Sequence, residues 1–186
     1  MQFSKGRPDL IRAINQRWLL KFWKRVRNGE NVPSWQAVAT EDLSRVAANL
    51  SFLHVDGTEA ARRFQIISHG ATIGQVYGSV DCRGKYLDEV LPSNACSDAL
   101  SPFQQTVVSG HPVYTVHDVT DCKGRIVHFE RLLLPFSLAG SAVDRILASF
   151  EFICADGAYD GRDLMKTQAA PPILRLSANI VPGAST

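Results

Sequence analysis

Residues 126–136, IVHFERLLLPF, constrain this chain more than any other stretch. Read as a strand, one face carries Ile126, His128, Glu130, Leu132, Leu134 and Phe136. The other carries Val127, Phe129, Arg131, Leu133 and Pro135. Neither face is polar throughout, whereas an antiparallel strand with one wet face alternates cleanly. Both faces of the sheet that holds this strand must therefore be covered, at least in part. Glu130 and Arg131 are neighbours and point to opposite faces, so they cannot pair closely with each other. Each needs its own partner, because an unpaired charge in an apolar layer is costly.

Something must cover the second face, and residues 8–28, PDLIRAINQRWLLKFWKRVRN, are suited to it. Apolar residues recur at Ile11, Ile14, Trp18, Phe22 and Val26, with Leu19 and Trp23 widening the stripe. Pro8 and Asp9 suit a helix start, and Asn28-Gly29 suits a stop. Such a helix must bury its tryptophans, against the same chain or a dimer partner. Ile14, Trp18, Phe22 and Trp23 are the expected packing residues. Residues 1–30 hold eight basic and two acidic side chains, a local charge of +6 in a chain of net charge +2, so the remainder carries −4. A packing and dimerisation helix with a solvated basic face is the favoured reading. Binding to an anionic membrane surface or to nucleic acid is the rival, disfavoured because no DNA-binding motif accompanies the helix.

The other elements follow from punctuation. Thr40 to Asn49 reads as a short N-capped helix. Residues 51–57 and 62–68 read as strands, and 69–78 as a glycine-bounded short helix or irregular turn. Residues 79–93 read as loop with short helical turns, and Ser97 to Ser109 as a helix stopped by Gly110. Strands follow at 112–119, 125–137 and 142–153, joined at Cys122-Lys123-Gly124 and Ala139-Gly140-Ser141. Strands grouped around a helical block indicate an α+β fold with an antiparallel sheet. The expected organisation is an N-terminal helical extension over 1–34, a domain over 35–154 and a flexible tail over 155–186. Within that tail, Ile173, Leu174 and Leu176 are able to dock on the body. The N-terminus has no apolar signal-peptide core, so a cytoplasmic location is expected. The four cysteines (82, 96, 122 and 154) form no C-x-x-C pair and match no zinc spacing, so they read as free thiols.

This order resembles a PAS domain. Gly78 followed by Gly84-Lys85-Tyr86-Leu87-Asp88-Glu89-Val90 is similar to the glycine-bounded turn of that family. More specifically, the chain resembles a proteobacterial subfamily of stand-alone PAS proteins. The residues that carry this likeness are Phe22-Trp23, Val26-Arg27, Gly29, Pro33-Ser34, Phe64, Gly70-Ala71, and above all Phe129-Glu130-Arg131-Leu132-Leu133-Leu134-Pro135-Phe136. It spans roughly residues 17–153 and departs from the pattern at Trp35, where a basic residue is expected. The resemblance implies a five-stranded antiparallel sheet with helices on one face and the N-terminal helix over part of the other. It further implies a sensory or interaction module, often dimeric, enclosing a small-molecule pocket.

The residues narrow the chemistry. No histidine lies on helix 97–109, so haem is not supported. Asn94-Ala95-Cys96-Ser97 lacks the Asn-Cys-Arg-Phe run of flavin photosensors, and no phosphate-binding glycine motif is present. No cofactor and no metal are expected. His128 and Glu130 share a strand face and could serve a small enzyme as acid and base, but no further element completes such a site. Arg131 groups with Phe129 and Leu133 on the face expected to line a pocket, where it would select an anion such as a carboxylate or phosphate. The alternative is an internal ion pair with Asp88 or Glu89. The pocket candidates are Arg131, Phe129, Phe64, Ile66, Tyr77, Phe103 and Tyr114. The reading is a non-enzymatic regulatory module, the expected partners being a second copy of the chain and an unidentified protein.

Overall fold

A computed structural model describes residues 1–78, 81–91, 96–140, 142–155, 157, 159–165 and 172–181. Asn94, Ala95, Ser141, parts of the 79–93 loop and parts of the C-terminal tail lie outside the described residues. The chain runs β1 (Ser4–Gly6), α1 (Ile14–Arg27), α2 (Gln36–Thr40), β2 (Leu50–Asp56), β3 (Arg63–His69), α3 (Ala71–Val76), α4 (Leu87–Val90) and α5 (Cys96–Ser109). Then come β4 (Val113–Thr120), β5 (Ile126–Phe136), β6 (Arg145–Cys154) and β7 (Ile173–Ile180). Short 3-10 turns occupy Pro8–Leu10, Ser44–Asn49 and Glu59–Ala61.

The fold is α+β with a single sheet in the order β1-β7-β4-β5-β6-β2-β3. All neighbours are antiparallel except β1, which runs parallel to β7. The expectation of five strands is corrected to seven. Strand β7 pairs with β4 on an edge the five-strand reading leaves open, and β1 pairs outside it. The expected flexible tail over 155–186 is corrected for Ile173–Ile180, which form β7. Strand β1 is three residues long and includes a glycine, so propensity gives no sign of it. Hydroxyls hold it: Ser4 Oγ donates to the Ser177 carbonyl at 3.1 Å, and Ser177 Oγ donates to the Gln2 carbonyl at 2.6 Å. Gly6 is required there, because a Cβ would lie 2.8 Å from Ala178 Cβ.

The expected helix over 8–28 is corrected as well. The Pro8–Leu10 turn gives way to extended backbone at Ile11 and Ala13, and the helix proper starts at Ile14. Asn28 is left-handed at φ 43° and closes α1, as its sequence suggests. The break moves the buried face. Gln16, Leu19, Leu20, Phe22 and Trp23 are buried on α1, while Ile14 is 71% exposed and Trp18 half-buried beneath the Arg45 guanidinium. The start expected at Thr40 also moves. Thr40 ends α2, and Asp42 Oδ1 accepts the Ser44 N–H at 3.0 Å to begin the following 3-10 turn.

Two apolar layers flank the sheet. On one side Val127, Phe129, Leu133, Ile146, Ala148 and Phe150 pack with Phe64, Ile73, Val76 and Phe103. On the other, Leu132, Leu134, Phe136, Leu147 and Tyr114 pack with Leu19, Leu20, Phe22 and Trp23 of α1. Trp23 Nε1 donates to the Pro135 carbonyl at 2.7 Å. Burying each of those four α1 side chains contributes about 1.5–3 kcal/mol. Among the described residues, no helix is long and apolar enough to cross a membrane.

Candidate ligand site

The site is built where the helical block meets β5. Gly70 sets the geometry: a Cβ there would run into the main-chain oxygens of Ala47 and Ala48, so α3 can begin this close to the Ser44–Asn49 turn only with glycine. The α3–α5 block then leaves a cavity of about 40 Å³ against the strands. Leu53, Ile66, Ile73, Leu87, Phe103 and Phe150 supply apolar wall. Ser51, His69, Tyr77, Cys82 and Arg131 bring polar groups. A volume of this size holds a few water-sized groups, not a nucleotide or flavin.

Arg131 is 5% exposed. Its Nε donates to Thr115 Oγ1 at 3.3 Å, placed directly across the β4–β5 ladder, and Nη1 donates to the Ala99 carbonyl of α5 at 3.2 Å. The guanidinium carbon lies 5.1 Å from the Phe103 ring centre and 5.8 Å from that of Phe129. Burial lowers its pKa to about 10, so it is a cation at neutral pH. Asp88 and Glu89, the internal partners considered above, are committed elsewhere. They clamp Arg63 at 2.8 and 2.9 Å on the surface. Among the described residues no carboxylate pairs with Arg131.

The neighbours sharpen the electrostatics. Burial pushes the Tyr77 phenol up, with Arg131 opposing it, so the phenol is a neutral hydrogen-bonding group. His117, on the same sheet face, is pulled down to about 3, first by burial and then by Arg131. It therefore stays neutral. His69 Nε2 accepts the Cys82 main-chain N–H at 3.1 Å, which ties the far wall together. Among the described residues, no carboxylate, lysine or second arginine lines the cavity with Arg131.

Of the residues singled out from sequence, Arg131, Ile66, Tyr77 and Phe103 line the cavity. Phe64 supports it from behind, its ring 5.4 Å from Phe103, and Phe129 stacks against Phe150 and Phe152 below Arg131. Tyr114 is a correction. It is fully buried on the opposite face, in the α1 layer. It sits across from Leu132, and the parity of β4 against β5 could not be read without that register. Sequence reading missed Ser51, His69, Cys82 and Phe150. Ser51 and Phe150 become visible only once β2 and β6 are registered, since a residue's face depends on its neighbour strand.

His128 and Glu130 do share a face, but they do not form one site. His128 Nδ1 meets Asp118 Oδ1 at 2.7 Å on the half-exposed sheet surface, and Arg175 Nε donates to the other Asp118 oxygen at 2.7 Å. Glu130 is 1% exposed, beneath α1. Neither lines the cavity beneath the helical block.

A search of curated proteins finds no match to this chain. A family model described as PAS domain matches residues 12–150, which takes in α1, the helical block and strands β2 to β5, and most of β6. The matched span is well over half the chain, and its order along the chain, two strands, short helices, one longer helix and three strands, is the order read from sequence. This chain belongs to the PAS domain family.

Proposed function

We propose that this PAS domain is a non-enzymatic sensory module whose cavity takes a small carboxylate, with Arg131 as its counter-ion. The reading rests on one observation: a nearly fully buried arginine on an apolar cavity wall, with no carboxylate partner among the described residues. Two of its donors are used by neutral oxygens, and the fork keeps others for a planar anion. The cavity volume favours a short acid, and the Tyr77 hydroxyl is the natural second contact. Occupancy would be read out through contacts with partner proteins, the chain acting as a cytoplasmic homodimer of the stand-alone PAS kind that the FERLLLP strand resembles. The buried N-terminal layer supports a docked α1 over a free membrane-binding or nucleic-acid-binding helix, because Phe22 and Trp23 are committed to the sheet.

The test is thermal unfolding of the full chain in sodium acetate, propionate and butyrate against sodium chloride at equal ionic strength. At least one carboxylate should raise the midpoint by several degrees in the native protein. The rise should vanish in Arg131→Gln, whose own melt in chloride reports whether it is folded. Equal midpoints in all four salts, or equal rises in native protein and variant, would refute the reading.

A further inference from the structure

The cavity wall carries more polar groups than a bare carboxylate uses. Ser51, His69, Tyr77, Cys82 and Arg131 line it. His69 is engaged within the protein: Nε2 accepts the Cys82 main-chain N–H at 3.1 Å, and Nδ1–H donates to the Gly70 carbonyl at 3.2 Å. A thiol such as that of Cys82 is a weak hydrogen-bonding group. Tyr77 lies close enough to Arg131 for the two to interact electrostatically, which suits both to one carboxylate. Ser51 is left over.

Register holds Ser51 on this wall. It sits across from Ala148 of β6 and from His69 of β3. Ala148 belongs to the cavity-side apolar layer, as does Leu53, two residues further along β2 on the same face. Ser51 is 5% exposed. Neither its hydroxyl nor that of Tyr77 makes a hydrogen bond among the described residues. An alanine would continue the apolar wall at position 51. A serine hydroxyl there is costly unless something in the cavity meets it.

Charge limits what that something is. With no lysine or second arginine lining the cavity among the described residues, a second carboxylate on the ligand would lack a counter-ion. With no carboxylate lining it, a ligand ammonium would meet no anion and would share the cavity with the guanidinium. The ligand group that answers Ser51 is therefore an uncharged oxygen. Leu53, Ile66, Ile73, Phe103 and Phe150 leave room for a short hydrocarbon part beside it.

We propose, resting on the carboxylate reading above, that Ser51 selects a ligand with a second, neutral oxygen, a short hydroxy or oxo monocarboxylic acid. The size of the cavity brings the groups together. At about 40 Å³ it is filled by an occupant of about five or six non-hydrogen atoms, which touches the wall on all sides. An acid without the second oxygen leaves the Ser51 hydroxyl unpaired or shares the cavity with a water. A site that hydrogen-bonds a ligand oxygen rejects the analogue lacking it far more strongly than a plain apolar pocket rejects a missing methylene. Ser51 is in this sense the residue that sets specificity, and Arg131 the one that sets affinity for the acid group.

The experiment is titration of the full chain with sodium salts at equal ionic strength and fixed neutral pH, followed by amide NMR. Glycolate is compared with acetate, and lactate and pyruvate with propionate; malonate supplies a second charge in place of a neutral oxygen. In at least one pair the oxygen-bearing acid should bind about tenfold or more tightly than its plain counterpart. Malonate should bind more weakly than glycolate. Ser51→Ala should keep its affinity for the plain acid and lose the preference. Equal affinities within every pair, with acetate or propionate bound, would overturn the assignment of Ser51 and leave the carboxylate reading standing. So would a preference that survives in Ser51→Ala, or malonate binding as tightly as glycolate. Binding of none of these acids would overturn both.

Discussion

The two faces of β5 differ in how they are finished. Beneath α1, large side chains interlock with the helix, and Gln16, Glu130 and Ser149 are buried among them. Beneath α3–α5, packing stops short and leaves a cavity with the Arg131 guanidinium on its wall. Adjacent residues on one strand serve both: Glu130 faces the helix and Arg131 faces the cavity. A layer that is filled gives stability. A layer left open around a charge gives a place where a ligand can add what the fold lacks.

The largest expected effect lies on the filled side. Trp23→Ala removes a fully buried ring and its hydrogen bond to Pro135. It should cost on the order of 3–5 kcal/mol in urea unfolding. A loss below about 1 kcal/mol would mean that α1 is not docked as described.

Next comes pH. His117, on the cavity face, has a folded pKa of about 3 against an ordinary value of 6.5. The unfolded chain therefore binds more protons between these values, and stability falls as pH drops through that window. The slope from this one group is on the order of 1.4 kcal/mol per pH unit. His117→Gln should flatten it, measured as the unfolding midpoint between pH 6.5 and 4. On the α1 face, Glu151 has the opposite sign. Burial, and then the Glu130 charge, raise its pKa against the pull of Asn15 and Asn49. Its protonated form favours folding, and that contribution fades as pH rises through the raised value. An unchanged acid limb in His117→Gln would break this contrast.

A smaller effect is expected from Arg131→Met. Removing a buried charge whose partners are neutral oxygens relieves desolvation, so stability should change by less than about 1.5 kcal/mol in urea unfolding, in either direction. A loss above about 3 kcal/mol would make Arg131 scaffold. The smallest effect belongs to Ile14→Ser. At 71% exposure the change should stay within about 0.5 kcal/mol.

These contrasts also show what the chain displays before folding. The double-sided apolar run of β5 requires two covering layers, and parity alone separates Glu130 from Arg131. Asn28-Gly29 and Gly110 mark helix ends because left-handed backbone needs such residues. Other features depend on contacts between distant segments. Strand β1 exists because Ser4 and Gly6 meet β7, and the weakly patterned β7 exists because β4 offers it an open edge. The phase of α1 differs from the one the spacing predicts because Ile11, which fits the helical stripe, is buried in extended backbone. Tyr114 faces α1 and not the cavity, which sequence alone does not display because a strand's parity has meaning only against its neighbour.

The central claim concerns the Arg131 guanidinium, and nitrogen-15 NMR of arginine Nε–H groups observes it directly. Arg131 Nε, identified by its absence in Arg131→Gln, should give a protected signal, because it is buried and bonded to Thr115. Titration with a short carboxylate should shift that signal saturably, while chloride at equal ionic strength leaves it in place. A signal that no short carboxylate moves, in protein shown to be folded, would contradict the account.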